Sequence, residues 1–366
     1  MKLCKISLFF LILFCQEISA QTDPDLATNP IYEKLTSVKG KGILFGHQDD
    51  LAYGVGWEYI RGESDVKRIA GDYPAVFGWE LGGLELNHKK NLDKVPFEQM
   101  KSLAIMGDAM GGINTFSWHP YAPVTHESSW NKNVIVVKHI IPGGKYHEAF
   151  KEQLDKIAAF FHELKTEDGQ NIPFIFRPWH EMDGNWFWWG SKQCTPEEFQ
   201  QLFTFTVKYL RVEKGLKHML IAYSPDRNFK SETAYLTWYP GDAYVDILGV
   251  DNYSDLKKGG SVKAAIDKLH IVIKTAEKKE KIAAFTETGL ENVSEANWYT
   301  DKLGQVLADP FVSKSISYVM VWRNDGNVHY FFPYLEQKGA AAAKELLDRK
   351  NILLLEDFKS LLARTK

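Results

Sequence analysis

The sequence predicts an α/β protein built as a single (β/α)8 barrel. Three features point there: eight short apolar runs rich in β-branched and aromatic residues, amphipathic stretches between them, and polar groups at the carboxyl end of each run. Continuous apolar runs, rather than alternating ones, mark strands buried on both faces, as in a parallel sheet. Strands alternating with helices along one uninterrupted chain of 366 residues fit a closed barrel. A doubly wound sheet is the alternative, but no Gly-rich phosphate loop follows the first run. No linker, low-complexity tract or short repeat divides the chain.

In order, the expected strands are GILFGHQ (42–48), AVFGWEL (75–81), GGINTFSWH (111–119) and PFIFRPWHE (173–181). HMLIAYSPD (218–226), VDILGVDNY (245–253), IAAFTETG (282–289) and ISYVMVWRND (316–325) follow. Between them, Tyr146 to Lys165 carries Phe150, Leu154, Ile157, Ala158, Phe161 and Leu164 at helical spacing. Thr195-Pro196-Glu197-Glu198 supplies an N-cap, a proline at the first helical position and acids in the first turn. Ser261 to Lys279 and Glu336 to Leu347 also read as helices.

Residues 1–20 form a separate unit, with Lys2 and Lys5, an apolar stretch Ile6–Phe14 and a small-residue end at Ser19-Ala20. This pattern predicts a secretory signal peptide cut near Ala20, leaving 21–366 as the barrel domain, in the periplasm or secreted. Phe14 before Cys15 fits a lipidation site poorly, so no membrane anchor is expected. Cys194 is then the sole mature cysteine; it can form no internal disulfide and reads as structural. The balance of 44 basic and 47 acidic residues argues against nucleic acid as a partner. With 11 Trp and 16 Tyr, a neutral, flat-faced ligand such as a sugar is the better candidate. A monomer is expected.

Polar residues mark all eight strand ends: His47-Gln48-Asp49, Trp79-Glu80, Trp118-His119, Trp179-His180-Glu181, Ser224 with Asp226, Asp251-Asn252-Tyr253, Glu287, and Trp322-Arg323. In a barrel these ends converge on the face that holds the chemistry. Two of the groups are carboxylates on strands four and seven, Glu181 and Glu287, which face each other across the opening. Such a pair can flank one glycosidic bond, one acid protonating the leaving oxygen and the other attacking the anomeric carbon. The purely structural alternatives are an ion pair between Glu181 and Arg177, and hydrogen bonds from Thr286 or Thr288 to Glu287. The tryptophans around Glu181 are expected to raise its pKa by desolvation, and Arg323 to favour ionised Glu287.

RPWHEMDGNWFWWG (177–190), followed by TETG (286–289) on the seventh strand, resembles glycoside hydrolase family 26. Its typical members are retaining β-1,4-mannanases with a (β/α)8 fold, and the similarity runs from FGHQ (45–48) to VWRND (321–325). The resemblance implies Glu181 as acid/base and Glu287 as nucleophile. It also implies a cleft lined by His119, His180, Trp186, Tyr253, Trp322 and Arg323, with no metal and no cofactor. Trp186 and Trp322 would stack on sugar faces, and Tyr253 would hydrogen-bond near the nucleophile. Trp79 is expected to pack rather than bind, Trp188 and Trp189 to do either, and His218 to be structural. HQDD (47–50) and His329 lack a second histidine at ligand spacing. Glu80 and Glu85 match no motif and receive no role.

The implied substrate is mannan, galactomannan or a manno-oligosaccharide, and the rival is another β-glycan such as xylan or mixed-linkage glucan. A non-catalytic sugar-binding barrel would replace one of the two carboxylates, and both are intact. A sugar-phosphate isomerase or aldolase would want a strand-end lysine or a phosphate loop, which TETGLE and VWRNDG do not supply cleanly. The long segment from Pro120 to Gly144 is expected to shape one end of the cleft. If it closes that end, cleavage would release mannobiose from chain termini.

Overall fold

The computed structural model describes residues 29–133 and 135–364. The expected signal segment therefore lies outside the described residues. Eight parallel strands form a closed ring: β1 (Ile43–Gln48), β2 (Val76–Glu80), β3 (Ile113–Trp118), β4 (Phe174–Pro178), β5 (Met219–Tyr223), β6 (Ile247–Leu248), β7 (Ile282–Thr288) and β8 (Ile316–Val321). Each pairs with its successor, and β8 closes on β1 with Leu44 opposite Tyr318 and His47 opposite Val321. The (β/α)8 barrel expected from the sequence is the fold observed.

Strand residues alternate between two apolar regions. Leu44, Val76, Ile113, Ile175, Leu220, Ile247, Ala284 and Met320 form one buried cluster that fills the ring. Ile31 and Leu35 of the helix Pro30–Ser37 join this cluster. Ser317 Oγ ties that helix to the ring by donating to Leu35 O at 2.9 Å. The intervening residues, among them Phe45, Phe77, Phe116, Phe174, Phe176 and Phe285, pack in the larger cluster that includes the surrounding helices.

The expected helices appear with trimmed ends. Tyr146–Lys165 is helical over His147–His162, and Thr195 caps Pro196–Lys208 with a reciprocal capping box to Glu198. Ser261 caps Val262–Lys278, receiving the Ala264 amide. The last expected helix starts only at Ala340, because residues 336–339 form the turn that feeds it.

Four strand expectations need correction. The fourth strand ends at Pro178 rather than Glu181, and the fifth at Tyr223 rather than Asp226, because the chain turns there. β6 is far shorter than 245–253, because beyond Leu248 its pairing continues only as single bridges, Asp226 to Asp251 and Asp251 to Glu287. Gly249 allows the close approach there: a Cβ would lie 2.4 Å from Thr286 Cγ2. The eighth run does not extend to Asp325. Asn324–Asp325 turns into a hairpin with His329–Tyr330, outside the barrel sheet. The sequence also gave no sign of Ile352–Leu353, a short strand added alongside the start of β1. No helix among the described residues is long and apolar enough to cross a membrane.

Candidate active site

Glu181 stands just beyond β4, at a turn held in an uncommon shape. Trp179 and Glu181 both have φ of 54°, in the left-handed region that side chains other than glycine rarely adopt. Two hydrogen bonds fix the turn: Glu181 N donates to Ser224 O at 2.8 Å, and Trp189 Nε1 donates to His180 O at 2.9 Å. Trp179 packs against Trp118, Trp188 and Trp189, with Nε1 on Thr206 Oγ1 at 3.1 Å. Trp79, Trp188 and Trp189 are fully buried. They build the wall behind the site and do not line the cleft.

The strand ends open into a cleft of about 630 Å³. Glu181 and Glu287 line it together with His119, Trp186, Tyr253 and Trp322. Trp130, Phe187 and Phe331 extend its aromatic wall, and Lys257, Lys258 and Glu291 stand at its edge.

The two carboxylates have opposite surroundings. Glu181 Oε2 accepts from Trp186 Nε1 at 2.7 Å. Desolvation, and then the negative charges of Glu287, Asp251 and Asp226, hold the Glu181 pKa well above the ordinary carboxyl value, and the indole bond only partly opposes them. Glu287 instead accepts from the Tyr253 hydroxyl at 2.6 Å on Oε1 and from Arg177 on Oε2. Burial and the adjacent Glu287 charge push the Tyr253 phenol well above its ordinary range, so it stays a donor.

Arg177 is the cation of this site. From β4 its guanidinium reaches Asp251 Oδ2 at 2.6 Å as well as Glu287. Burial alone would loosen its proton, but the charges of Asp251 and Glu287 outweigh burial and raise its pKa. The structural alternative of an Arg177–Glu181 ion pair is therefore not formed. Nor does Arg323 serve Glu287: its Nε bonds Asp93 Oδ1 at 2.7 Å, while its Nη1 lies 3.3 Å from Asp325 and 3.4 Å from the Tyr53 hydroxyl. Those contacts hold its guanidinium away from the cleft lining. His180 also stands off the cleft. It is 1% exposed, with Nε2 3.0 Å from His119 Nε2. Burial, followed by the charge of Arg177, lowers its pKa well below that of a free imidazole, so it is neutral.

The cleft thus joins a carboxyl whose burial and acidic neighbours favour its protonated form to a second carboxyl fixed by a guanidinium and a phenol, among faces suited to sugars. The glycosyl hydrolase family 26 model matches residues 20–300. The chain belongs to glycosyl hydrolase family 26.

Among family 26 structures, a β-mannanase of Bacteroides ovatus superposes with a TM-score of 0.86 at 38% identity, covering 92% of this chain and 96% of that one. A family 26 protein of Muricauda superposes with a TM-score of 0.83 at 33% identity, covering 91% and 92%. A mannan endo-1,4-beta-mannosidase of Bifidobacterium adolescentis is 34% identical over 354 residues, which is 90% of this chain and 35% of that protein. The chain therefore spans about a third of the length of that longer relative.

Several residues in or behind the cleft are not foreseen from the sequence. Trp130 lies in the long segment after β3, and its ring stacks on His119 at 5.1 Å and 11°. An aromatic in an unusually long strand-end loop was the available signal. Phe331 gave none. Its position depends on Asn324, whose Oδ1 accepts from the amides of Phe331 and Phe332 at 2.9 Å each. Glu85, left without a role, accepts from Gly83 N, Trp118 Nε1 and Tyr121 N, and so anchors the start of the long loop. Cys194 is a half-buried thiol, pushed up to about 12 by desolvation, and His218 packs its ring against Phe174.

Proposed function

We propose that this chain is a retaining glycoside hydrolase that cleaves β-1,4-mannosidic linkages in mannan, galactomannan or manno-oligosaccharides. The observation that carries the reading is the contrast between the two carboxyls of one cleft. Glu181 keeps a proton to donate, while Glu287 is held by Arg177 and Tyr253.

In the first step Glu181 gives its proton to the glycosidic oxygen as Glu287 attacks the anomeric carbon, forming a glycosyl ester and releasing the leaving sugar. Glu181, now ionised, takes a proton from water, which displaces Glu287 from the same face the leaving group occupied. Two inversions give net retention. Loss of the Glu287 charge in the ester removes the largest electrostatic contribution to the raised pKa of Glu181, easing its switch to base. Trp186 and Trp322 would cover the apolar faces of the sugars.

Relatives named as mannan endo-1,4-beta-mannosidases, the Bifidobacterium adolescentis protein among them, support mannan over other β-glycans. Trp130, brought to the cleft by the Pro120–Gly144 segment, supports a narrowed end and release of mannobiose from chain termini. The charge and apolar pattern of residues 1–20 supports export to the periplasm or beyond.

The test is product analysis on linear mannan, xylan and mixed-linkage glucan side by side. The reading expects products from mannan alone, with mannobiose dominant from the first minutes. Equal turnover of xylan or glucan overturns the substrate assignment, and a broad early ladder of oligosaccharides overturns terminal release.

A further inference from the structure

Behind the cleft runs a chain of three buried side chains from separate strand ends. Glu80 ends β2, His119 follows β3, and His180 follows β4, immediately before Glu181. Glu80 and His180 are 1% exposed, and His119 is 6% exposed. Glu80 Oε1 accepts two backbone amides, Gly82 N at 2.7 Å and His119 N at 2.8 Å. Its Oε2 accepts from Ser117 Oγ at 2.6 Å and lies 2.7 Å from His119 Nδ1. His119 Nε2 then meets His180 Nε2 at 3.0 Å.

The order of protons along this chain follows from Glu80. An ionised carboxylate only accepts, so His119 Nδ1 must carry a hydrogen. Burial works against that charge, but the bonds from Gly82 N, His119 N, Ser117 Oγ and His119 Nδ1 to its two oxygens favour it. Both ring nitrogens of His119 are then committed, one to Glu80 and the other to His180. Its part in the cleft wall is the ring itself, stacked under Trp130.

We propose that Glu80 is a positioning residue for the acid/base: by fixing the Nδ1–H form of His119 it sets how His119 holds His180, and so fixes the strained turn that carries Glu181. This rests on the reading of Glu181 as the acid/base. The turn needs such support, since its two left-handed residues flank His180 on either side. A small displacement of Glu181 would be felt where proton donation limits the rate.

Glu80→Gln tests the relay with little change of shape. The two backbone amides on Oε1 dictate that the glutamine oxygen takes that position. Its NH2 group then replaces Oε2 and faces His119 Nδ1. That nitrogen must become an acceptor, so the imidazole proton moves to Nε2. Nitrogen-15 NMR of labelled histidine reads this directly. We expect Nδ1–H on His119 in the native protein and Nε2–H in Glu80→Gln. We also expect kcat/KM on mannan to fall on the order of 10–100-fold. Glycosylation by an aryl β-mannoside with a good leaving group, which needs little proton donation, should fall far less.

Native His119 lacking a proton on Nδ1 overturns the proposal, whatever the variant does. An unchanged tautomer in Glu80→Gln, or equal loss on both substrates, overturns it as well. Glu181→Ala separates the two readings. If it loses aryl mannoside and mannan alike, the acid/base assignment itself fails. If it spares the aryl substrate while Glu80→Gln does not, only the role of Glu80 fails.

Discussion

Trp186 Nε1 donates to Glu181 Oε2 at 2.7 Å, and this bond pulls the acid's pKa down against desolvation and the charge of Glu287, which raise it. Trp186→Phe keeps an aromatic face but removes the donor. The Glu181 pKa should then rise further, because a bond that favoured the ionised form is lost. In the proposed mechanism Glu181 must be protonated to act, so the alkaline limb of the kcat/KM profile should move to higher pH. A pH–rate series on a soluble manno-oligosaccharide checks this; a limb that stays put or moves down contradicts it.

The same raised pKa has a consequence for stability. A buried carboxyl whose folded pKa exceeds its ordinary value of 4.5 keeps a proton that the unfolded chain releases. Its contribution to stability therefore declines as pH rises from the unfolded value through the folded one. Glu181→Gln removes that dependence. Its Tm should exceed that of the native protein by a few degrees at pH 7, and the gap should close near pH 4. Calorimetry at the two pH values reads both.

Arg177 bridges Asp251 and Glu287. Arg177→Met leaves two buried acids without their cation, a loss of about 3–5 kcal/mol for a broken buried pair. Lower Tm and an activity loss of at least about 100-fold are expected together. Chemical denaturation and initial rates measure the two effects on one preparation.

Tyr253→Phe removes one donor from Glu287 Oε1 and little else. A bond to a charged group is worth about 1.5–3 kcal/mol, or roughly tenfold to a hundredfold in kcat. KM should change little. A rise in KM at constant kcat would move Tyr253 from the reacting centre to ordinary binding.

The barrel was legible because its strands are buried on both faces and therefore read as continuous apolar runs, each punctuated by polar groups. Helix starts at Thr195 and Ser261 were legible because capping is local. Pairings between distant strand ends were not. Arg177 and Glu287 are 110 residues apart in sequence, and Arg323 was a plausible substitute until Asp93 and Asp325 were seen to hold it. Glu80 reads as one more polar strand end, and its meaning lies wholly in the ring of His119 beside it. Phe331 was hidden because a hairpin, rather than a strand, brings it to the cleft.

The most direct test of the two-carboxylate mechanism is to trap the intermediate. A 2-deoxy-2-fluoro β-mannoside with an activated leaving group slows both steps and, with departure made easy, lets the ester accumulate. Mass spectrometry of the intact protein should gain one fluoro-sugar unit, and peptide mapping should find it on Glu287. A label on any other residue, or no label together with first-formed product of inverted configuration, contradicts the account.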